Sequence, residues 1–177
     1  MLSQILSWAR RPAAIIAALL FIGGTSACTV HFAPAYDQSI ADGLTAASKD
    51  IQTLFASMST GVPAATYSSR QDAYNKIIGE LATIEQQIKV RPDPANPPSQ
   101  QEINQLLQQH GVPLPAVPAP ASATPSAGSV AHVADTIATM KTQDQSGGLH
   151  VDEVKAFAGQ SNIYLAQAIA YETFLKR

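Results

Sequence analysis

The amino-acid sequence predicts an all-α protein, an antiparallel helical bundle made of one long hairpin and shorter helices. Three observations lead to this fold class. Apolar residues recur at alternating spacings of three and four in the segments that follow residue 37. Helix-capping patterns precede several of these segments. Proline-rich stretches, which interrupt helices, separate the segments from one another.

The first helix of the predicted hairpin starts near residue 37. Asp37 or Ser39 can cap its start, and Gly61 with Pro63 ends it. Its apolar residues all fall on one side of a helix, the arrangement expected for a bundle. They are Ile40, Leu44, Ala47, Ile51, Leu54 and Met58.

The second helix of the hairpin repeats the pattern. Ser68 and Gln71 fit a capping box at its start, and Pro92 ends it. A short loop joins it to the first helix, so the two are expected to pack antiparallel. Its apolar stripe consists of Tyr74, Ile77, Leu81, Ile84 and Ile88.

Two proline-rich linkers are predicted, over residues 91–100 and 112–129. The first favours the polyproline II conformation. The second has five prolines among small residues and too little apolar surface to fold, so we expect it to be disordered or draped over the bundle. Between them, Ser99 and Glu102 form a capping box that opens a short helix.

Two more helices follow the second linker. The first is a short amphipathic stretch that ends at residues 147–148, with Val130, Val133, Ile137 and Met140 on its apolar side. The last places Phe157, Tyr164 and Tyr171 seven residues apart. Such a stripe can line a ligand groove, but helical apolar periodicity indicates core. The two tyrosine hydroxyls are then expected near the rim or with partners.

The N-terminus is typical of an export signal. Arg10 and Arg11 precede an apolar run over residues 12–24, which is shorter than the roughly 20 residues that a membrane-spanning helix needs. Small residues then lead to Cys28, the only cysteine. The sequence therefore predicts a cleaved signal peptide over residues 1–27, a tether over 28–36 and a bundle domain over 37–177.

The sequence TSAC, residues 25–28, resembles the lipobox of bacterial lipoproteins, although that family usually has leucine where this chain has Thr25. The resemblance implies that diacylglycerol is attached to the sulfur of Cys28, so membrane lipid is the expected partner. Thr29 after the cysteine implies a periplasm-facing, outer-membrane location in the cell envelope. Two alternatives remain: cleavage to a soluble periplasmic protein with a free thiol, or an uncleaved apolar helix.

Composition excludes several classes of function. Charged residues make up 14% of the chain and the formal charge is -2, which gives no basic footprint for nucleic acid. Removal of residues 1–27 takes away two arginines, so the mature chain has nine basic and thirteen acidic residues, a net charge of -4. A single cysteine excludes an internal disulfide and a zinc site of several thiolates.

No motif for catalysis, a cofactor or a metal is found. The four histidines, at positions 31, 110, 132 and 150, have no spacing typical of metal ligands. Residues 144–153 superficially resemble a calcium loop, but Leu149 and Lys155 occupy the positions that require glycine and a carboxylate. We therefore expect no enzymatic activity and no catalytic, metal or cofactor site.

Several features together resemble small uncharacterised lipoproteins of Gram-negative bacteria. These are the lipobox-like start, YDQSIADGL over residues 36–44, the proline-rich break and the AIAYE sequence over residues 168–172. The resemblance implies export and a helical bundle, and it supplies no functional residues. The expected function is that of a membrane-tethered structural or protein-interaction accessory. The alternative is a periplasmic small-molecule binder or cryptic enzyme, and the oligomeric state stays open.

Overall fold

The computed structural model describes residues 34–92, 99–114 and 124–176, and the fold class is confirmed as an all-α helical bundle. A 3₁₀ helix over Ala64–Ser69 lies between the first two helices. The helices are α1 Gln38–Ser57, α2 Gln71–Lys89, α3 Gln100–Gln109, α4 Pro125–Gly147 and α5 Val151–Phe174.

Helices α1, α2, α4 and α5 pack into one bundle in which successive members run in opposite directions. Met58 at the end of α1 touches Tyr74 at the start of α2. Ser126 at the start of α4 touches Glu172 near the end of α5. The short α3 packs against the outside of α5, where Leu106 joins a small apolar cluster.

The core lies along the stripes predicted for α1 and α2. Every stripe residue of the two helices is buried, and most are fully inaccessible to solvent. Burial of apolar side chains supplies the main favourable term in folding, roughly 25 cal/mol per Å² of apolar surface. The same cluster includes Val130, Val133, Ile137 and Met140 of α4 and Val154, Tyr164, Leu165 and Ala168 of α5.

Helix α4 begins earlier than predicted. Its first residue is Pro125, inside the segment predicted as a linker over 112–129, and it runs for 23 residues. Proline suits the first helical position because its fixed φ angle matches the helix and no donor is lost. The next four residues, Ser126, Ala127, Gly128 and Ser129, are buried. Their small side chains can be buried without a large apolar area, which explains why the composition did not indicate a helix.

The relative lengths of the helices and one predicted linker also differ from the prediction. Helices α4 and α5, of 23 and 24 residues, are longer than the hairpin helices α1 and α2, of 20 and 19. In the predicted linker over 91–100, Arg91 is held in an ion pair. Residues 93–98 and 115–123 lie outside the described residues.

Two of the three predicted caps are confirmed. The Asp37 side chain accepts from the Ser39 amide, and Ser99 with Glu102 forms a complete capping box. The capping box at Ser68 is wrong, because that residue lies in the 3₁₀ helix and Arg70 caps α2 without a side-chain hydrogen bond.

A tight turn between α4 and α5 closes one end of the bundle. Val62 and Leu149 form an antiparallel bridge, with amide-to-carbonyl distances of 2.9 and 2.8 Å. Gly148 has a φ of +78°, and a Cβ at this position would lie 2.4 Å from the Val62 carbonyl oxygen. Only glycine fits this close approach.

The predicted signal peptide over 1–27 and most of the tether over 28–36 lie outside the described residues. The last three tether residues are described, and among them Pro34 is buried. None of the helices within 34–92, 99–114 and 124–176 combines the length and apolar character needed to span a membrane.

Candidate functional site

Two buried arginine–carboxylate pairs lie at opposite ends of the bundle. The first joins Arg70, which caps the start of α2, to Asp144 in the last turn of α4. Arg70 Nε donates to Oδ2 at 2.9 Å and NH2 to Oδ1 at 2.7 Å, a bidentate arrangement. The Asp144 side chain is fully buried, so the pair is well shielded from water.

The Arg70–Asp144 pair has two further polar partners. Arg70 NH1 donates to Thr66 Oγ1 at 2.9 Å, and the Tyr74 hydroxyl donates to Asp144 Oδ2 at 3.2 Å. The hydrogen bonds to Asp144 raise the pKa of the Arg70 guanidinium. Burial, and then the charge of Asp144, raises the pKa of Tyr74. The guanidinium therefore stays charged and the phenol stays neutral.

The second pair joins Arg91, just beyond α2, to Glu172 in α5. Arg91 NH1 donates to Oε2 at 2.8 Å and NH2 to Oε1 at 2.6 Å. The Ser126 hydroxyl donates to Oε1 at 2.5 Å, so one carboxylate connects α2, α4 and α5. Arg91 NH1 also lies 3.4 Å from the carbonyl oxygen of Ala35.

The second pair is less completely satisfied. Arg91 Nε is buried without a hydrogen-bond partner among the described residues, and so is the Tyr171 hydroxyl beside Glu172. Burial, and then the charge of Glu172, raises the pKa of Tyr171. A buried polar atom without a partner costs free energy. We therefore expect the Arg91–Glu172 pair to stabilise the fold less than the Arg70–Asp144 pair does.

A groove of about 380 Å³ lies between α1 and α2. Lys76 on its rim forms ion pairs with Asp50 and Glu80. Apolar side chains with hydroxyls and charged groups at the edge are typical of small-molecule sites of this size. The lining consists of Asp50, Thr53, Leu54, Ser57, Ser69, Arg70, Ala73, Lys76 and Ile77.

Cys28, the predicted lipidation site, lies outside the described residues, as does His31. The other histidines are not brought together. His110 ends α3, His150 caps α5 together with Glu153, and the ring of His132 stacks on Tyr164 at 4.7 Å. Within the described parts of the chain, no three histidine, cysteine, aspartate or glutamate side chains are grouped so that they could hold a metal ion.

The aromatic stripe of the last helix packs in the core, as predicted. Tyr164 and Tyr171 are buried, and Phe157 is partly buried against the main cluster. The expectation that both hydroxyls find the rim or a partner is wrong for Tyr171, whose hydroxyl is buried alone within the described structure. Its ring packs with Leu106 and Leu175, so apolar burial outweighs the cost of the unpaired oxygen.

The sequence analysis predicts neither buried ion pair, although the spacing of the two carboxylates along their helices indicates that they are buried. Asp144 follows Met140 by four residues and Glu172 follows Ala168 by four, so both carboxylates continue an apolar stripe. A charge on the core side of a helix is buried only when it has a partner. That rule indicates a buried cation nearby, but it does not tell which arginine supplies it.

Comparison with protein-family models, with curated proteins and with solved structures finds no match to this chain. The functional argument therefore depends on the residues and contacts described above.

Proposed function

We propose that the protein is a lipid-tethered helical accessory of the Gram-negative cell envelope, acylated at Cys28 and facing the periplasm from the outer membrane. The observation that carries the proposal is the position of the only cysteine. Cys28 directly follows a basic segment, a short apolar run and three small residues. It also precedes Pro34, the first residue that the structure describes and a buried one, by only six positions.

The structure of the bundle fits a role in holding or contacting another envelope protein. The guanidiniums of Arg70 and Arg91 are each paired with a buried carboxylate that joins helices. Buried bidentate pairs of this kind fix the geometry of the helices they connect. A body of fixed shape on a short tether suits a structural or protein-interaction accessory.

Lipid attachment supplies the membrane affinity in this proposal. The mature chain has a net charge of -4, so it is not drawn to an anionic surface by its overall charge. Each buried methylene of an acyl chain contributes about 0.8 kcal/mol, and stable anchoring takes at least two chains. The sulfur of Cys28 is the attachment point for a diacylglycerol, and the new amino terminus can carry a third chain such as palmitate.

The first experiment compares Cys28→Ser with the matched neighbour variant Thr29→Ser in a Gram-negative host. We expect the native chain and Thr29→Ser to incorporate labelled palmitate and to sediment with membranes. Cys28→Ser should incorporate no palmitate. It should also leave the membrane fraction once its signal segment is removed by a cut that does not depend on Cys28. If Cys28→Ser sediments with membranes as fully as the native chain, the tether is wrong.

The accessory role has its own test. Crosslinking in intact cells, followed by purification of the acylated protein, should recover one envelope protein in stoichiometric amount. The same recovery from cells that express Cys28→Ser should fall, because the untethered body is no longer held at the membrane. Recovery of no protein above the background of an unrelated lipoprotein would contradict the accessory role.

A second candidate function is supported by the groove between α1 and α2. A volume of about 380 Å³ with an apolar floor and a polar rim suits a small polar molecule. We expect a bound envelope metabolite to raise the Tm of the native protein and of the control Ser59→Trp. It should leave the Tm of Ser57→Trp unchanged, because that side chain fills the groove. Equal responses of both variants would exclude binding in the groove.

A further inference from the structure

The N-terminal segment joins the bundle at one defined end. Pro34 is buried, the Ala35 carbonyl lies 3.4 Å from Arg91 NH1, and Lys176 Nζ lies 5.8 Å from the centre of the Tyr36 ring. Residues 34–37 therefore pack beside the ends of α2 and α5. We call this end, formed by Tyr36, Val90, Arg91, Glu172 and Lys176, the entry pole.

The opposite end contains the 3₁₀ helix and the α4–α5 turn, and we call it the far pole. It carries the Arg70–Asp144 pair and the Val62–Leu149 bridge. The 20 residues of α1 run from the entry pole to the far pole. At 1.5 Å per residue, the poles are about 30 Å apart.

Chain length limits how far the entry pole can lie from an anchor at Cys28. Five residues, 29–33, separate Cys28 from Pro34 in the sequence. Six steps of at most 3.3–3.6 Å per residue span roughly 20 Å. A lipid at Cys28 therefore keeps the entry pole near the bilayer, whereas this length alone does not reach the far pole.

The exposed side chains also make the entry pole the better suited of the two to contact lipid. Val90 at the entry pole is 80% exposed, the more exposed of the two large apolar side chains that stand out at the described surface. Lys89 beside it and Lys176 carry long apolar stems that can lie along lipid while their amines reach the headgroups. Tyr36 adds an aromatic ring with a polar end, the type enriched at membrane interfaces.

The far pole has a different surface. The exposed residues of its 3₁₀ helix and turn are small or polar, and apart from His150 none is titratable. They include Ala65, Ser68, Ser69, Ser146 and Gly147. This surface has no large apolar side chain, and the lysine that follows the turn in α5, Lys155, faces the exposed carboxylate of Asp152 at 3.7 Å.

We propose that the entry pole lies against the phospholipid surface, with Val90 at headgroup depth, and that the far pole points away from the membrane. The inference rests on the proposed tether at Cys28. Charge does not select the lipid, because Lys89 pairs with Glu85 and Arg91 pairs with Glu172 in the same pole. A zwitterionic phospholipid surface is therefore sufficient.

Tryptophan fluorescence tests this orientation without added dyes. The chain has one tryptophan, Trp8, which lies in the predicted signal peptide, so the mature protein has none. Val90→Trp places a reporter at the entry pole and Ala65→Trp places one at the far pole, both at exposed positions. Circular dichroism during heating checks that both variants keep the native helix content and a similar Tm.

Each acylated variant is reconstituted into phosphatidylcholine vesicles with and without brominated acyl chains, which quench nearby tryptophan. We expect Val90→Trp to lose most of its fluorescence in brominated vesicles and to shift its emission to shorter wavelength. Ala65→Trp should show neither change. Equal quenching of the two reporters, or stronger quenching of Ala65→Trp, would overturn the proposed orientation.

A parallel sample separates this inference from the tether itself. Intact mass of the purified protein reports whether Cys28 is acylated, and an unmodified residue refutes the proposed function alone. The mature chain is then coupled through Cys28, its only thiol, to a maleimide phospholipid. The same difference in quenching between the two variants is expected on this synthetic anchor, and its absence there refutes the orientation alone.

Discussion

The entry pole and the far pole both bury an arginine–carboxylate pair, but they satisfy it differently. At the far pole, Arg70 donates hydrogen bonds from Nε, NH1 and NH2. The Tyr74 hydroxyl donates a further hydrogen bond to Asp144. At the entry pole, Arg91 Nε has no partner within the described structure, and NH1 reaches a carbonyl of the N-terminal segment.

The two arginine–carboxylate pairs therefore have different structural roles. The far pole is a fully satisfied junction that joins two helices and closes the chain near Gly148. The entry pole is an incompletely satisfied junction that also contacts the segment leading to the proposed tether. Stability is therefore expected to be concentrated at the far pole, and adaptability at the entry pole.

The largest expected effect is at the far pole. Asp144→Ala leaves the buried Arg70 guanidinium unpaired, and breaking a buried pair costs about 3–5 kcal/mol. We expect the free energy of unfolding in urea to fall by this amount. Asp135→Ala, an exposed position on the same helix, is the matched control and should change stability little. Similar stabilities for the two variants would refute the account of the far pole.

The turn at the far pole gives the next effect. Gly148→Ala places a Cβ 2.4 Å from a carbonyl oxygen at positive φ, a strain of about 3 kcal/mol. Gly147→Ala meets no atom within 4 Å and lies in a helix, so it should be neutral or stabilise slightly. Thermal unfolding compares the two variants, and a Gly148→Ala protein as stable as Gly147→Ala would contradict the described turn.

At the entry pole, we expect Glu172→Ala to cost less than Asp144→Ala, about 2–3 kcal/mol. Arg91 lies beyond the end of α2, so its side chain can turn towards solvent when the carboxylate is lost. The variant should also increase amide hydrogen exchange in the first turn of α1, where the Ala41 amide donates to the Asp37 carbonyl beside the segment that Arg91 contacts. A cost equal to that of Asp144→Ala, with unchanged exchange, would remove the distinction between the poles.

The two poles are also compared through their tyrosines at alkaline pH. Burial raises the pKa of both Tyr74 and Tyr171 above the ordinary value of 10.0. The folded protein keeps these protons where the unfolded chain loses them, so the free energy of unfolding falls as the pH rises above 10.0. Each group contributes a slope of at most about 1.4 kcal/mol per pH unit.

We expect Tyr74→Phe and Tyr171→Phe each to make this alkaline slope shallower. At neutral pH they should differ, because Tyr74→Phe loses a hydrogen bond to Asp144 worth about 1 kcal/mol. Tyr171→Phe loses none, so it should keep or raise the native stability. Urea denaturation between neutral and alkaline pH measures both effects. Equal neutral-pH costs would contradict the assigned partners.

Much of the fold could be predicted from the sequence because local rules and burial agree. The apolar stripes of α1 and α2 and the caps at Asp37 and Ser99 follow from spacing and side-chain chemistry. The start of α4 could not, because Ser126 and Gly128 become buried only through packing against other helices. Tertiary contact overrides weak helix propensity there.

The polar junctions were harder to predict for a different reason. Arg70 and Asp144 are 74 positions apart, and Arg91 and Glu172 are 81 apart, so no local pattern pairs them. The stripe positions of the carboxylates reveal burial but not the partner. The predicted site at Cys28 stays a prediction, since its evidence lies entirely in the sequence.

The most direct test of the central claim is the intact mass of the protein isolated from the membrane fraction of a Gram-negative host. The account predicts a chain that begins at Cys28 and carries the added mass of a diacylglycerol and a further acyl group. A mature chain that begins at an unmodified Cys28, or a chain that still begins at Met1, would contradict it.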